Sequence, residues 1–150
     1  MRVVVQRVSS ASVSIDGRVT GQIDRGLLVL VGIEAVDTSA DGEWLAQKLV
    51  KLRIFPDDAS QMNRSVTDIA GGILLISQFT LHASTQKGLR PSFNQAARPE
   101  QAQPLYDLFI AQLTTALGRA VATGEFGAMM QVTLVNDGPV TLIIDSKRRE

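Results

Sequence analysis

The sequence predicts one α/β domain spanning residues 1–150, with a mostly antiparallel, barrel-like sheet and two main helices packed outside it. Three observations carry that expectation. β-Branched stretches flank an Asp16-Gly17 pair, an uninterrupted apolar run follows over residues 26–33, and two later stretches repeat their apolar residues at helical spacing.

Taken in order, residues 3–8 and 11–15 are rich in β-branched residues and read as strands. Asp16-Gly17 then separates Ser12-Val13-Ser14-Ile15 from Arg18-Val19-Thr20, a strong hairpin signal, because both residue types tolerate the positive φ that a tight turn needs. The run over 26–33 has the pattern of a strand buried on both faces, hence central. Thr38 followed by Asp41 resembles a capping box, and Leu45, Leu49 and Leu52 predict a helix over 40–53. Pro56-Asp57-Asp58 ends it, and the polar stretch to Gly72 reads as loop or hairpin. Residues 73–76 form another apolar strand. The polar stretch from 82 to 98 is longer than ordinary loops, as functional loops often are. Pro99 opens a second helix marked by Leu105, Phe109, Leu113 and Leu117, and Gly118 stops it. Residues 131–135 and 140–144 read as two strands joined by a turn, Asn136-Asp137-Gly138-Pro139.

Composition narrows the chemistry. With 45% hydrophobic and 20% charged residues the chain is globular. It has no cysteine, which excludes disulfides, thiolate nucleophiles and cysteine-held metals, and suits a reducing cytoplasm. Charge interrupts the N-terminal apolar run at Arg7, too early for a signal peptide, and no run approaches membrane-spanning length, so no membrane partner is expected. Fifteen basic residues balance fifteen acidic ones, so no global field draws the chain to phosphate. Lys87 with Arg90, and Lys147-Arg148-Arg149, read as solvated surface clusters.

The single histidine, His82, leaves few acid–base options, and its nearness in sequence to Ser77 and Ser84 is no evidence for a triad. No metal and no cofactor is called for: Asp57-Asp58 looks like turn chemistry, and phosphate-loop and dinucleotide motifs are absent. Two segments stand out. Ser77-Gln78-Phe79-Thr80-Leu81 follows a strand, and Asn136-Asp137-Gly138-Pro139-Val140-Thr141 lies between two. On residue chemistry alone the first is a strand end with hydroxyls satisfying loop backbone, and the second a hairpin turn. A Gly-Pro bond has nearly balanced isomers, so a fold can lock it in cis and aim two carbonyls the same way.

At these two segments the chain resembles the D-aminoacyl-tRNA deacylase family. The opening Met1-Arg2-Val3-Val4-Val5-Gln6-Arg7-Val8, then Leu52-Arg53-Ile54-Phe55, Met62-Asn63-Arg64-Ser65, Arg90-Pro91-Ser92-Phe93 and Gly124-Glu125-Phe126-Gly127-Ala128 extend the resemblance nearly end to end. It implies a hydrolase that cleaves the ester of D-aminoacyl-tRNA, and of glycyl-tRNA, to free amino acid and tRNA while sparing the L-form, a proofreading step in translation. It also implies a homodimer with the Ser77 to Leu81 segment of one subunit facing Gly138 and Pro139 of the other. There the cis Gly138-Pro139 carbonyls act as a chiral gate, specificity by rejection.

Ester attack needs an oxyanion site, for which the backbone N–H groups around Gln78 and Phe79 are candidates. Thr80 matches a family threonine once assigned as nucleophile. Without a base beside it a positioning role suits it better, and the substrate's own 2′-hydroxyl is the competing nucleophile. Phe79 and Phe126 are either pocket walls near the terminal adenosine or plain core. Met129 or Met130 lines the same pocket, and Arg7 braces the Gly-Pro loop through its backbone. His82 departs from the aromatic residue of many relatives at a rim position. Two rival readings are a nucleic-acid-binding protein and a scaffold that only dimerises. Zero net charge opposes strong duplex binding, and nucleic-acid-binding relatives usually carry a C-terminal tail beyond the point where this sequence stops.

Overall fold

The computed structural model describes residues 1–149. Its elements are β1 (Arg2–Ile15), β2 (Arg18–Ile23), β3 (Gly26–Gly32), α1 (Ser39–Lys51), β4 (Phe55–Pro56), β5 (Met62–Arg64), β6 (Gly72–Ser77), a 3₁₀ turn (Phe79–His82), α2 (Pro99–Leu117), β7 (Ala122–Thr123) and β8 (Gln131–Asp145). The principal sheet runs β2-β1-β3-β6-β7, with β8 on the remaining side of β1, and β4 and β5 form a separate hairpin.

Local chemistry explains the joints. Asp16 and Gly17 take φ of 50° and 78°, both left-handed, and Ile15 pairs directly with Arg18, so β1 and β2 form the tight hairpin expected. The Asp41 carboxylate accepts the Thr38 backbone N–H at 2.9 Å and caps α1. Pro99 sits in the first turn of α2, and Gly118 closes it at φ 76°. The stretch after Phe55 is the small β4–β5 hairpin.

β3 and β6 pair in parallel, as do β6 and β7, while the β1 pairings are antiparallel. Parallel neighbours need long crossovers, and α1 and α2 lie in the two that link β3 to β6 and β6 to β7. The helices pack on each other and on one face of the sheet. Leu27, Val29, Val31, Ile73 and Leu75 meet them, whereas Leu28, Leu74 and Ile76 point to the opposite face and join Val8, Ala11 and Val13 in a second core. Burial on both faces is why β3 and β6 are apolar at nearly every position. The sheet ends approach each other: a β-carbon on Gly21 of β2 would stand 2.5 Å from the Thr123 carbonyl oxygen of β7. Strand curvature therefore brings the barrel near closure.

One expectation is corrected. Residues 131–135 and 140–144 do not fold back on each other as a hairpin. They are halves of one strand, β8, and both pair with β1: Arg2 to Gln6 face Asp145 to Thr141, and Ser10 to Ser14 face Val135 to Gln131. Between Gln6 and Ser10, four steps on β1 are matched by six on β8, from Thr141 to Val135. The surplus on β8 bulges outward and carries Asp137, Gly138 and Pro139. β1 is likewise one strand, continuous through the polar Ser9-Ser10 pair that seemed to divide it.

Candidate active site

β6 ends at Ser77, and Gln78 turns the chain out of the sheet with φ −145° and ψ 79°. Its backbone N–H donates to the Val31 carbonyl at 2.7 Å, fixing the turn to the end of β3. That bond removes Gln78 N–H from the candidate oxyanion donors. The Phe79 and Thr80 N–H groups, at the open start of the 3₁₀ turn, have no acceptor among the described residues. Both side chains are exposed there. The Gln78 side-chain amide donates to Thr80 Oγ1, and no carboxylate or imidazole among the described residues hydrogen-bonds that hydroxyl. Thr80 thus has a partner that orients it and none that would deprotonate it.

Three further contacts hold this turn. Arg2 Nη1 donates to the Leu81 carbonyl at 2.9 Å while its Nε donates to Asp145 Oδ2 at 3.0 Å. Burial would raise the Asp145 carboxyl, but the Lys147 backbone N–H and the Arg2 guanidinium outweigh it and hold the group below the usual carboxylate range. Phe79 stands edge-on to Phe93, with ring centroids 5.1 Å apart. His82 is buried at 1% exposure, against the rim position expected for it, and its Nδ1 lies 2.8 Å from Glu34 Oε1. Among the described residues no group of three or more His, Asp or Glu side chains converges as metal ligands would.

The second segment is the β8 bulge. Its Gly138–Pro139 peptide bond is cis, and both residues are exposed. Arg7, opposite the bulge on β1, donates through Nε to the Asp137 carbonyl at 2.8 Å and through Nη1 to the Ile54 carbonyl at 2.6 Å. The Asp137 carboxylate lies 3.5 Å from the same Nε. Arg7 therefore ties the bulge to the chain leaving α1, through the loop backbone as expected.

Within one chain the two segments do not meet. Arg7 pairs with Leu27, whereas Arg2 pairs with Gly32 at the end of β3 where the 3₁₀ turn docks. Five residues of strand separate those levels, about 17 Å at roughly 3.4 Å per residue. Phe126 packs on Tyr106, centroids 5.7 Å apart, and belongs to the periphery of the helix-side core. Met129 is 91% exposed, while Met130 packs into the second core beneath Gly124. Arg2, Glu34 and Phe93 escaped the sequence reading. Arg2 and Phe93 carried a signal, their places in the Met1 to Val8 and Arg90 to Phe93 blocks, and Glu34 carried none.

A family model described as D-Tyr-tRNA(Tyr) deacylase matches residues 4–145. A protein from Opitutus terrae called D-aminoacyl-tRNA deacylase is 65% identical over 150 residues, covering all of both chains. A protein of the same name from Dechloromonas aromatica is 57% identical over 98% of each chain. Among solved structures, one called c-Myc DNA Unwinding Element Binding Protein superposes with TM-score 0.90 at 40% identity, over 97% of this chain and 98% of that one. A second, a probable eukaryotic D-amino acid tRNA deacylase, gives TM-score 0.83 at 18% identity, over 95% and 97%. The latter likeness concerns the fold alone.

Proposed function

The chain belongs to the D-Tyr-tRNA(Tyr) deacylase family, and from that membership we propose that it hydrolyses the ester joining a D-amino acid to the 3′-terminal adenosine of tRNA. Water is consumed, the acyl–oxygen bond breaks, and free amino acid and tRNA hydroxyl result. The observation that carries the reading is the pair of unpartnered N–H groups at Phe79 and Thr80, exposed at the start of a firmly held turn. Fixed donors of this kind stabilise the tetrahedral oxyanion of acyl transfer without reorganising during the reaction. Ser77, Gln78 and Thr80 orient the reacting groups, and a water supplies the attack, with the 2′-hydroxyl of the terminal ribose placed to activate it.

Gly138 and Pro139 are the chiral gate in this proposal. Their carbonyls receive the α-ammonium of a D-residue and reject the side chain of an L-residue, a discrimination that glycine escapes. Phe79, Phe126 and Met129 border the adenosine and aminoacyl groups. Arg7 acts indirectly, by holding the bulge.

The site is completed by a second copy of the chain. Support comes from the roughly 17 Å between the two segments in one subunit, from the far edge of β8, unpaired among the described residues, and from exposed Val135, Ile143 and Met129 along or beside that strand. Work on aminoacylated tRNA sets the reaction in the cytoplasm as chiral proofreading. Duplex DNA binding, the rival reading, finds no support in a net charge of zero.

The test is release of amino acid from D-tyrosyl-, L-tyrosyl- and glycyl-tRNA, with and without a chelator. Hydrolysis of the D- and glycyl-forms with the L-form spared, unaffected by chelation, is the expected result. No release from D-tyrosyl-tRNA overturns the activity, and equal release of both enantiomers overturns the gate. Sedimentation of a fully active monomer overturns the shared site.

A further inference from the structure

We infer that His82 is a positioning residue for the Phe79–Thr80 donors, clamped in place by Glu34; the inference rests on the deacylase reading of that turn. The chain has one histidine, and it lies at the last position of the 3₁₀ turn whose first two N–H groups face the proposed oxyanion. The ring is 1% exposed. A buried imidazole is normally held by hydrogen bonds through its nitrogens. Here neither nitrogen has a well-aligned hydrogen-bond partner among the described residues, and Nδ1 lies 2.8 Å from Glu34 Oε1, the polar group set against it.

Shape supplies the rest of the clamp. The imidazole lies against the backbone of Gly32, where a β-carbon would come within 2.8 Å of His82 Cδ2 and 3.0 Å of Leu81 Cβ. Only glycine at that place lets the turn settle on the strand. Glu34 is itself fixed: its N–H donates to Asp37 Oδ2 at 2.7 Å, and it bridges to Ala96. The turn is therefore anchored at its start by Gln78 N–H on Val31, at Leu81 by Arg2, and at its end by His82 on Glu34. Removing the last anchor leaves the turn folded but lets its end swing, which misaims the donors at its start.

The variants Glu34→Gln, His82→Leu and the double substitution test this. Glu34→Gln keeps the shape of a part-exposed side chain and removes only its charge, so it stays informative if His82→Leu folds badly. Each single variant should lower kcat on D-tyrosyl-tRNA about tenfold, the order of one buried polar contact, with KM changed less than about twofold. The double variant should be no slower than the slower single one, because the two residues form one interaction. Amide hydrogen exchange of Leu81 and Ala83, whose N–H groups are bonded within the turn, should accelerate in both singles while β3 and β6 keep their protection. Multiplying effects in the double variant, a change in KM instead of kcat, or unchanged exchange in the turn overturns the inference. If the parent protein releases no amino acid, the deacylase reading fails by itself, and the exchange data alone decide whether the clamp exists.

Discussion

Replacing Arg7 by alanine removes a side chain that bonds the β8 bulge to the rest of the fold, and its effect follows from the contacts. The guanidinium makes two charge-assisted bonds to carbonyls, Asp137 at 2.8 Å and Ile54 at 2.6 Å, from a side chain only 11% exposed. Hydrogen bonds to a charged group contribute about 1.5–3 kcal/mol each. Asp137 is half-exposed, so water replaces part of its loss, while the Ile54 carbonyl belongs to a buried residue and is left without its donor. The sum is about 2–4 kcal/mol of stability, or about 5–12 °C in Tm for a chain of this length. Urea unfolding at fixed protein concentration should show a lower midpoint at unchanged m. Activity should fall further than stability, about a hundredfold in kcat/KM at a temperature where the variant is fully folded, because a bulge displaced by 1 Å misplaces the gate. Arg7→Lys should recover less than half of the loss, since a compact ammonium cannot span two carbonyls in the guanidinium's fixed geometry. An Arg7→Ala protein within about 0.5 kcal/mol of the parent, with unchanged activity and chiral preference, would refute the bracing role.

Two further outcomes are expected. Thr80→Ser should keep most of the activity and Thr80→Ala a measurable part, as read by single-turnover hydrolysis, because the hydroxyl accepts from Gln78 and has no base beside it; complete loss in a folded Thr80→Ala dimer, with a trapped acyl-threonine in the parent, would restore the nucleophile. Burial would raise the Asp41 carboxyl, but the hydrogen bond and charge of Lys147, with hydrogen bonds from Thr38 and Ser146, outweigh it and hold the group far below the usual range. A depressed carboxyl contributes stability above its unfolded value, near pH 4, and loses that contribution as the pH falls toward the folded value. Lys147→Met should therefore narrow the difference in urea midpoint between pH 6 and pH 3, and an unaltered difference would show that the pair is irrelevant to acid stability.

What could be read in advance was what neighbours in sequence decide. Asp16-Gly17, Pro99, Gly118 and Thr38 with Asp41 act within a few residues, and each element they bound was found where expected. The misreading at 136–139 has the same origin. Good turn formers there imply a hairpin if the flanking strands pair with each other, but β1 claims both flanks, a partnership across more than 120 residues that no local pattern records. The candidate site residues came from family resemblance and not from their chemistry. The structure adds what resemblance left open: Gln78 N–H is occupied by Val31, and the hydroxyl of Thr80 is oriented by an amide. Burial of His82 depends on Gly32 and Glu34, about fifty positions earlier, and was invisible for that reason.

The arithmetic of the bulge separates the barrel from the proposed gate. Between Gln6 and Val8 on β1, two steps are matched by five on β8, so the loop holds three surplus residues, and a separate offset of one falls on β1 between Val8 and Ser10; Val132 and Leu134 then pack in the second core, whereas Leu142 and Ile144 pack on the helix side. One flank therefore serves the second core and the other the helix layer, and an odd surplus at the loop is what keeps Thr141 and Asn136 on the same face as their partners Gln6 and Val8. The Gly138–Pro139 pair thus lies in a three-residue surplus between flanks that already serve different cores, so the scaffold does not depend on the proposed gate. A chain lacking the three surplus residues should still build the same barrel, because each flank keeps its own face, and would lack only the proposed means of telling one hand of an amino acid from the other.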